Sequence, residues 1–195
     1  MQKACILATL VLELVVPALA QQRPVSPQDL EFFQQLNHER DPARQLSVLR
    51  EWEAAIPKSE WYRERLLFFM NAYKGTDQLV NSFKCAVDLL ALDSRDLTAL
   101  YSVVILAPLL QTPTPDQIRL TGEAARQLLS SPIATIKTPA FTEANPEQVT
   151  GREDQRLAAF LREIRIRKQI RPADIEIELR HAAESALTWA RNRKQ

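Results

Sequence analysis

The chain has 195 residues, with 25 Lys and Arg against 24 Asp and Glu, and a formal net charge of +1. Hydrophobic residues make up 46%, aromatics 7%, and there are three Gly, twelve Pro and two Cys, which excludes collagen-like, disulfide-dense and strongly disordered classes. Three glycines are too few for the turns of a β-sandwich, no G-x-G-x-x-G or G-x-x-x-x-G-K run is present, and a near-zero charge exerts no global pull toward nucleic acid or an anionic membrane.

The N-terminus reads as an export signal. Lys3 gives a positive start, Ala4 to Leu12 is free of charge, and Ala18-Leu19-Ala20 has the A-x-A form of a cleavage site before Gln21. The expectation is a signal peptide over 1–20 and an exported chain, periplasmic or secreted, over 21–195. The later apolar stretch Ala99–Leu110 is interrupted by Ser102 and Pro108 and is too short to span a bilayer. Cys5 lies within the signal, which leaves Cys85 alone on an apolar helix, read as a buried, inert thiol.

Helix starts follow in chain order. Ser26-Pro27, Asp41-Pro42 and Thr114-Pro115 each place a capping oxygen before a proline, and Thr114 to Gln117 has capping-box spacing. Ser59, Asp77 and Ser94 are candidate caps for three more helices. Apolar residues recur at steps of three and four: Leu46, Leu49, Trp52 and Ile56, then Tyr62, Leu66, Phe69, Met70 and Tyr73, then Phe83, Val87 and Leu90. The pattern predicts helices near 27–37, 42–55, 60–74, 77–92, 95–110 and 114–130, joined by short links into antiparallel hairpins, with the fifth helix central and buried.

Residues 131–150 contain Pro132, Pro139 and Pro146 and read as a loop, with a short helical turn at 132–137 as an option. Arg152–Arg162 reads as helical. The segment 164–179 is two-sided. Ile164, Ile166 and Ile170 followed by Ile175, Ile177 and Leu179 alternate, and a β-hairpin there would oppose Arg167 to Glu178 and Gln169 to Glu176. A helix from Pro172, with Ile175, Leu179, Ala182, Ala183, Ala186 and Trp189 on one side, is the favoured reading.

One internal repetition runs from Ser59 to Pro132, in which Ser94 ends one helical hairpin and Ser131-Pro132 ends the next. Its residues resemble the tetratricopeptide repeat. The spacing from Tyr73 to Ser94 matches that from the family's helix-A tyrosine to its closing proline, and Val87–Ser94 is similar to the end of its helix B. Leu97–Tyr101 is similar to the start of a helix A, Gly122–Leu129 to a second helix B, and Ala186–Trp189 to a further helix A. Ser82 replaces the usual helix-B alanine, the second unit is about four residues longer than the usual ~34, and a third stops at Gln195 before any helix B. The resemblance covers 59–132 and 181–194. It implies one all-α domain, a short right-handed solenoid whose helix-A faces line a groove for a protein or peptide, and an exported bacterial protein of this type. By that alignment Glu64, Leu67, Asn71 and Lys74 face the groove, with Asp96, Ala99 and Val103 from the next unit. The repeated Asn and Lys of the peptide-carboxylate-binding type do not recur.

Motifs for bond chemistry are not found. His38 and His181 stand far apart in the chain and read as a solvated helix end and a helix face, and no H-E-x-x-H, G-x-S-x-G or EF-hand loop occurs. No cofactor or metal is expected. The aromatics Trp52, Trp61, Tyr62, Phe68, Phe69, Tyr73 and Tyr101 have core spacing, with Trp61 and Tyr62 as candidate groove anchors. Arg162, Arg165, Arg167, Lys168 and Arg171 form a basic stretch that either contacts anions or is solvated and internally paired. The function expected is non-catalytic protein or peptide binding. The alternatives are a helical accessory or ligand-binding domain that uses the basic stretch at 162–171, and an enzyme with dispersed carboxylates. The last helix, with Arg191, Arg193 and Lys194 at its end, is the candidate surface for a homodimer.

Overall fold

The computed structural model describes residues 26–131, 160–162, 164, 165, 168, 169, 171 and 174–193. The expected signal peptide and the proline-containing loop after Ser131 lie outside the described residues, as do most of Arg152–Arg162 and the segment around Pro172. The helices are α1 (Pro27–His38), α2 (Pro42–Ala55), α3 (Tyr62–Gly75), α4 (Leu79–Leu92), α5 (Leu97–Leu106), α6 (Pro115–Ser130) and α7 (Ile175–Asn192). A 3-10 turn, Ala107–Leu109, extends α5. Among the described residues there is no strand. The β-hairpin alternative at 164–179 is thereby overturned at its second arm. Ile175, Leu179, Ala183, Ala186 and Ala190 are buried at helical spacing, and the three alanines favour the helix that carries them. Glu178 and Glu176, offered as cross-strand partners, instead take Lys168 and Arg180.

Two of the expected caps form as the sequence indicates. Asp41 accepts from the Ala43 amide at 3.0 Å, and Thr114 and Gln117 complete a reciprocal capping box. Ser26 occupies an N-cap without a side-chain hydrogen bond. The other three caps move. Asp77 closes α3 instead of opening α4: at φ 58° it is in the left-handed region, Gln78 N donates to Tyr73 O at 2.8 Å and Asp77 N to Lys74 O at 3.2 Å. That is a Schellman closure, which a short Asp side chain tolerates where glycine is commoner. Ser59 accepts from Trp61 N in the turn before α3, and Asp96, not Ser94, caps α5 through the Ala99 amide at 3.1 Å. The helical run expected to reach 110 gives way to a 3-10 turn at Pro108, whose nitrogen has no hydrogen to donate.

Consecutive helices pack on one another from α1 through α6, and α7 packs on both α6 and α5. The odd-numbered helices begin at Pro27, Tyr62 and Leu97, two equal steps along the chain. Their partners begin at Pro42, Leu79 and Pro115. The equal spacing of helix starts extends to α1 and α2, which the sequence resemblance did not cover. α5 is apolar around its circumference and is enclosed as expected, with Ala99, Leu100, Tyr101, Ser102, Val103, Val104 and Leu106 all buried. Ser82, the departure from a helix-B alanine, is buried and donates to Met70 O at 2.8 Å, joining α4 to α3. Cys85 is buried and unpaired, and burial, with Asp88 adding, pushes its thiol up to about 11. The inert reading holds, because almost no thiolate forms at neutral pH.

Two glycines separate steric need from tolerance. A Cβ on Gly75 would lie 2.6 Å from Pro42 Cγ and 2.8 Å from Pro42 Cβ, a rigid ring at the start of α2. A Cβ on Gly122 would meet Ala190 Cβ at an ordinary 3.8 Å. Gly75→Ala is expected to cost about 1–3 kcal/mol through overpacking. Gly122→Ala is expected to gain about 0.5–1 kcal/mol, the helix-propensity difference. Urea unfolding of the two variants should shift the midpoint in opposite directions.

Candidate functional site

A set of odd-helix positions recurs at a constant interval of sequence, partly or fully exposed on α1 and α3 and half-buried or buried on α5. It runs through Leu30, Phe33 and Asn37 on α1, Glu64, Leu67 and Asn71 on α3, and Thr98, Tyr101 and Ile105 on α5. On α1 and α3 these positions are partly or fully exposed, while the residues behind them, such as Leu36, Leu66 and Met70, are in the core. Glu64, Leu67, Asn71 and Lys74 therefore share one outward stripe of α3, as steps of three and four along a helix require. Asn71 is exposed and the other three are half-buried. The strips of α1 and α3 are neighbours, since the Phe33 ring meets Trp61 edge-on at 4.3 Å and Phe68 at 5.7 Å. Trp61 is half-buried there. Tyr62, the other candidate anchor, is 38% exposed and lies over the Arg65 guanidinium.

The candidates from the next unit lie elsewhere. Ala99 and Val103 are at 0% exposure in the core of α5, so neither offers surface to a partner. The family alignment is out of register with burial on this helix, whose residues that are not buried are Leu97, Thr98 and Ile105. Asp96 is also buried, and it has two structural duties. It caps α5, and its Oδ2 accepts from Arg63 Nε at 2.9 Å and from Arg63 Nη2. The pair ties the start of α3 to the start of α5.

A second polar junction fixes α1. Asp29 Oδ1 accepts from Trp52 Nε1 at 2.7 Å and from Ser59 Oγ at 2.6 Å, all three residues being buried. On the other side of Trp52, the Arg65 guanidinium stands 5.9 Å from the indole centroid. It donates to the carbonyls of Ile56 at 2.8 Å and Pro57 at 3.1 Å. Arg65 is 1% exposed, and its Nε finds no hydrogen-bond partner. No local motif marks Asp29 or Arg65, because their partners come from other turns of the chain.

The C-terminal junction involves the basic stretch. Glu178 Oε1 accepts from Lys168 Nζ at 2.9 Å and from the Tyr101 hydroxyl at 3.1 Å. The Lys168 ammonium, with the Tyr101 hydroxyl assisting, holds the Glu178 carboxyl below its usual range. Arg171 pairs with Asp174 through both carboxylate oxygens, at 2.8 and 3.0 Å. Lys168 and Arg171 are thus internally paired; Arg162 is exposed, Arg165 is half-buried and also in contact, and Arg167 lies outside the described residues. His38 and His181 are exposed, one at the end of α1 and the other on α7. Among the described residues no three His, Cys, Asp or Glu side chains gather as metal ligands, and no helix is long and apolar enough to cross a membrane.

Comparison with known proteins returns no match: no family model, no curated protein and no solved structure matches the chain.

Two expected outcomes follow from the junctions. Asp96→Ala leaves Arg63 without its carboxylate and α5 without its cap, a loss of about 3–5 kcal/mol. The double replacement Arg63→Met with Asp96→Leu should lose much less, because no uncompensated charge remains, and chemical denaturation of the two variants tests this. Glu178→Gln is expected to be less stable than the parent at pH 7. A carboxylate with a depressed folded pKa contributes stability above its unfolded value, and that contribution disappears as pH falls through the folded one. The gap between Glu178→Gln and parent should therefore close on acidification below about pH 4, as read from unfolding midpoints along a pH series.

Proposed function

We propose that the chain is a non-catalytic helical-repeat module of tetratricopeptide type that binds a protein or extended peptide on the strip of its odd helices. The single observation that carries this reading is the stripe of partly or fully exposed residues Glu64, Leu67, Asn71 and Lys74 on α3, beside the half-buried Phe33 of α1. Stacked hairpins of this period bury each unit against its neighbours and turn equivalent faces the same way, which makes an extended recognition surface. Binding there needs shape and side-chain complementarity and no cofactor. The reading includes export, with cleavage before Gln21, because the first twenty residues have signal composition.

The alternative use of 162–171 as an anion contact is weakened by the pairing of Lys168 with Glu178 and Arg171 with Asp174. Homodimerisation through α7 has one feature in its favour, the 66% exposed Ile177 on its outer side.

The test is cross-linked affinity capture of the tagged chain in the exported compartment, beside Asn71→Ala with Lys74→Ala. The expected result is one or two reproducible partners, reduced about tenfold or more by the double substitution. Partners unaffected by it, or self-cross-links alone, would remove the strip reading. N-terminal sequencing of the same material checks for Gln21.

A further inference from the structure

Two late pieces of the chain meet α5 at one residue. Phe160, Leu161, Arg162, Ile164, Arg165 and Lys168 are helical, and Phe160, Leu161 and Ile164 are buried. The Phe160 ring lies edge-on to Tyr101 at 5.9 Å. α7 reaches the same side chain through Glu178, whose Oε1 accepts from the Tyr101 hydroxyl at 3.1 Å and from Lys168 Nζ at 2.9 Å. One carboxylate oxygen therefore joins α5, α7 and the Phe160 segment. A second ion pair, Arg171 with Asp174 at 2.8 and 3.0 Å, ties the end of that segment to the residue before α7.

The hold of these pieces on the rest of the fold is uneven. α7 packs on α5, on the 3-10 turn and on α6. Along its second half it buries Ala183, Ala186 and Ala190, with Gly122 of α6 facing Ala190, and side chains this small remove little apolar area from water. The large apolar side chains are Phe160, Leu161 and Ile164 on the segment and Ile175 and Leu179 on the first turns of α7, the two places that Glu178 links. The packing of α1 to α4 on one another runs through none of them.

We propose that the Phe160 segment and α7 form a strap that opens from α5 and α6 as one body, with Glu178 as its clasp, while α1 to α4 stay folded. Closed, the strap keeps Tyr101 and the apolar side of α5 out of water. Open, it bares them. The two pieces leave together because Lys168–Glu178 and Arg171–Asp174 join them to each other, and an opening of α7 alone breaks the first of these as well as the bond to Tyr101. The apolar contacts keep the closed state dominant, and the clasp sets how often it opens. The strap does not depend on what the α3 stripe binds.

The test is native-state amide exchange of the full chain, resolved by peptide mass spectrometry, for the parent, Tyr101→Phe and Glu178→Gln. Tyr101→Phe keeps the ring against Phe160 and removes only the hydroxyl, so it unfastens the clasp from α5 and leaves Lys168 on Glu178. The expected result is that peptides from α7 and from around Phe160 exchange about fivefold to tenfold faster in Tyr101→Phe, by one common factor, as the loss of a hydrogen bond to a charged group implies. Peptides from α2, α3 and α4 should keep the parent rate. Glu178→Gln breaks both bonds and should accelerate the same peptides further. If that variant does not fold, Tyr101→Phe carries the test alone. Equal acceleration of every helix, acceleration of α7 without the Phe160 segment or of the segment without α7, or unchanged exchange in Tyr101→Phe overturns the inference.

Discussion

A ten-residue helix with no polar face has to be surrounded, and α5 sets that requirement for the rest of the structure. Seven of its ten residues are buried, and the flanking α4, α6 and α7 enclose it. Each large apolar side chain left in water there would forfeit about 1.5–3 kcal/mol. The side of α5 where Tyr101 stands is covered by Phe160 and by the Tyr101–Glu178 contact. The late part of the chain returns to the middle of the molecule because α5 has no other way to leave water.

Apolar burial explains enclosure but not registration, since Leu and Val side chains accept many relative positions. Registration comes from buried polar contacts at the helix starts. Asp96 serves as cap for α5 and as acceptor for Arg63 on α3, so the two odd helices cannot slide without breaking the Arg63–Asp96 contact. Asp29 does the same for α1, holding Trp52 of α2 and Ser59 of the following turn on one oxygen. Gly75 adds a steric limit, because only a hydrogen fits between the end of α3 and the Pro42 ring. Buried charges are costly to desolvate, and their effect here is to select one arrangement among several that bury similar area.

Much of this is legible in the sequence. Proline after a capping residue locates the starts of α1, α2 and α6, and apolar spacing at steps of three and four locates α3, α4 and α5 closely. The errors share one cause, which is that local chemistry has more than one use. Asp77 reads as an N-cap because Asp caps helices, but it also tolerates the left-handed turn that closes α3. Ser94 gives up the cap to nearby Asp96, because the latter is also the carboxylate that Arg63 requires. The same displacement matters for the strip. A register taken from consensus letters puts Asp96, Ala99 and Val103 outward, whereas all three are buried and the residues of α5 that are not are Leu97, Thr98 and Ile105. The repeat resemblance does not reach the first hairpin, although both of its helices are predicted, since α1 and α2 lack the consensus residues.

The strip and the core are not independent. Wherever the strip carries an apolar residue, that residue is either partly exposed, as Leu67 and Phe33 are, or covered by the chain, as Tyr101 is. Coverage at α5 follows from the need to enclose an apolar helix. Exposure at α3 is tolerable because α3 has a polar outward edge in Glu64, Asn71 and Lys74, and its buried side is already satisfied by α2 and α4. The difference between the open and closed sections therefore lies in composition. A helix with a polar edge can keep a partly apolar strip in water and leave it accessible. One without such an edge cannot, so the chain supplies its own cover. The boundary between open and covered surface then falls between α3 and α5, where Arg63 and Asp96 join them, and that ion pair keeps the open section in register with the covered one.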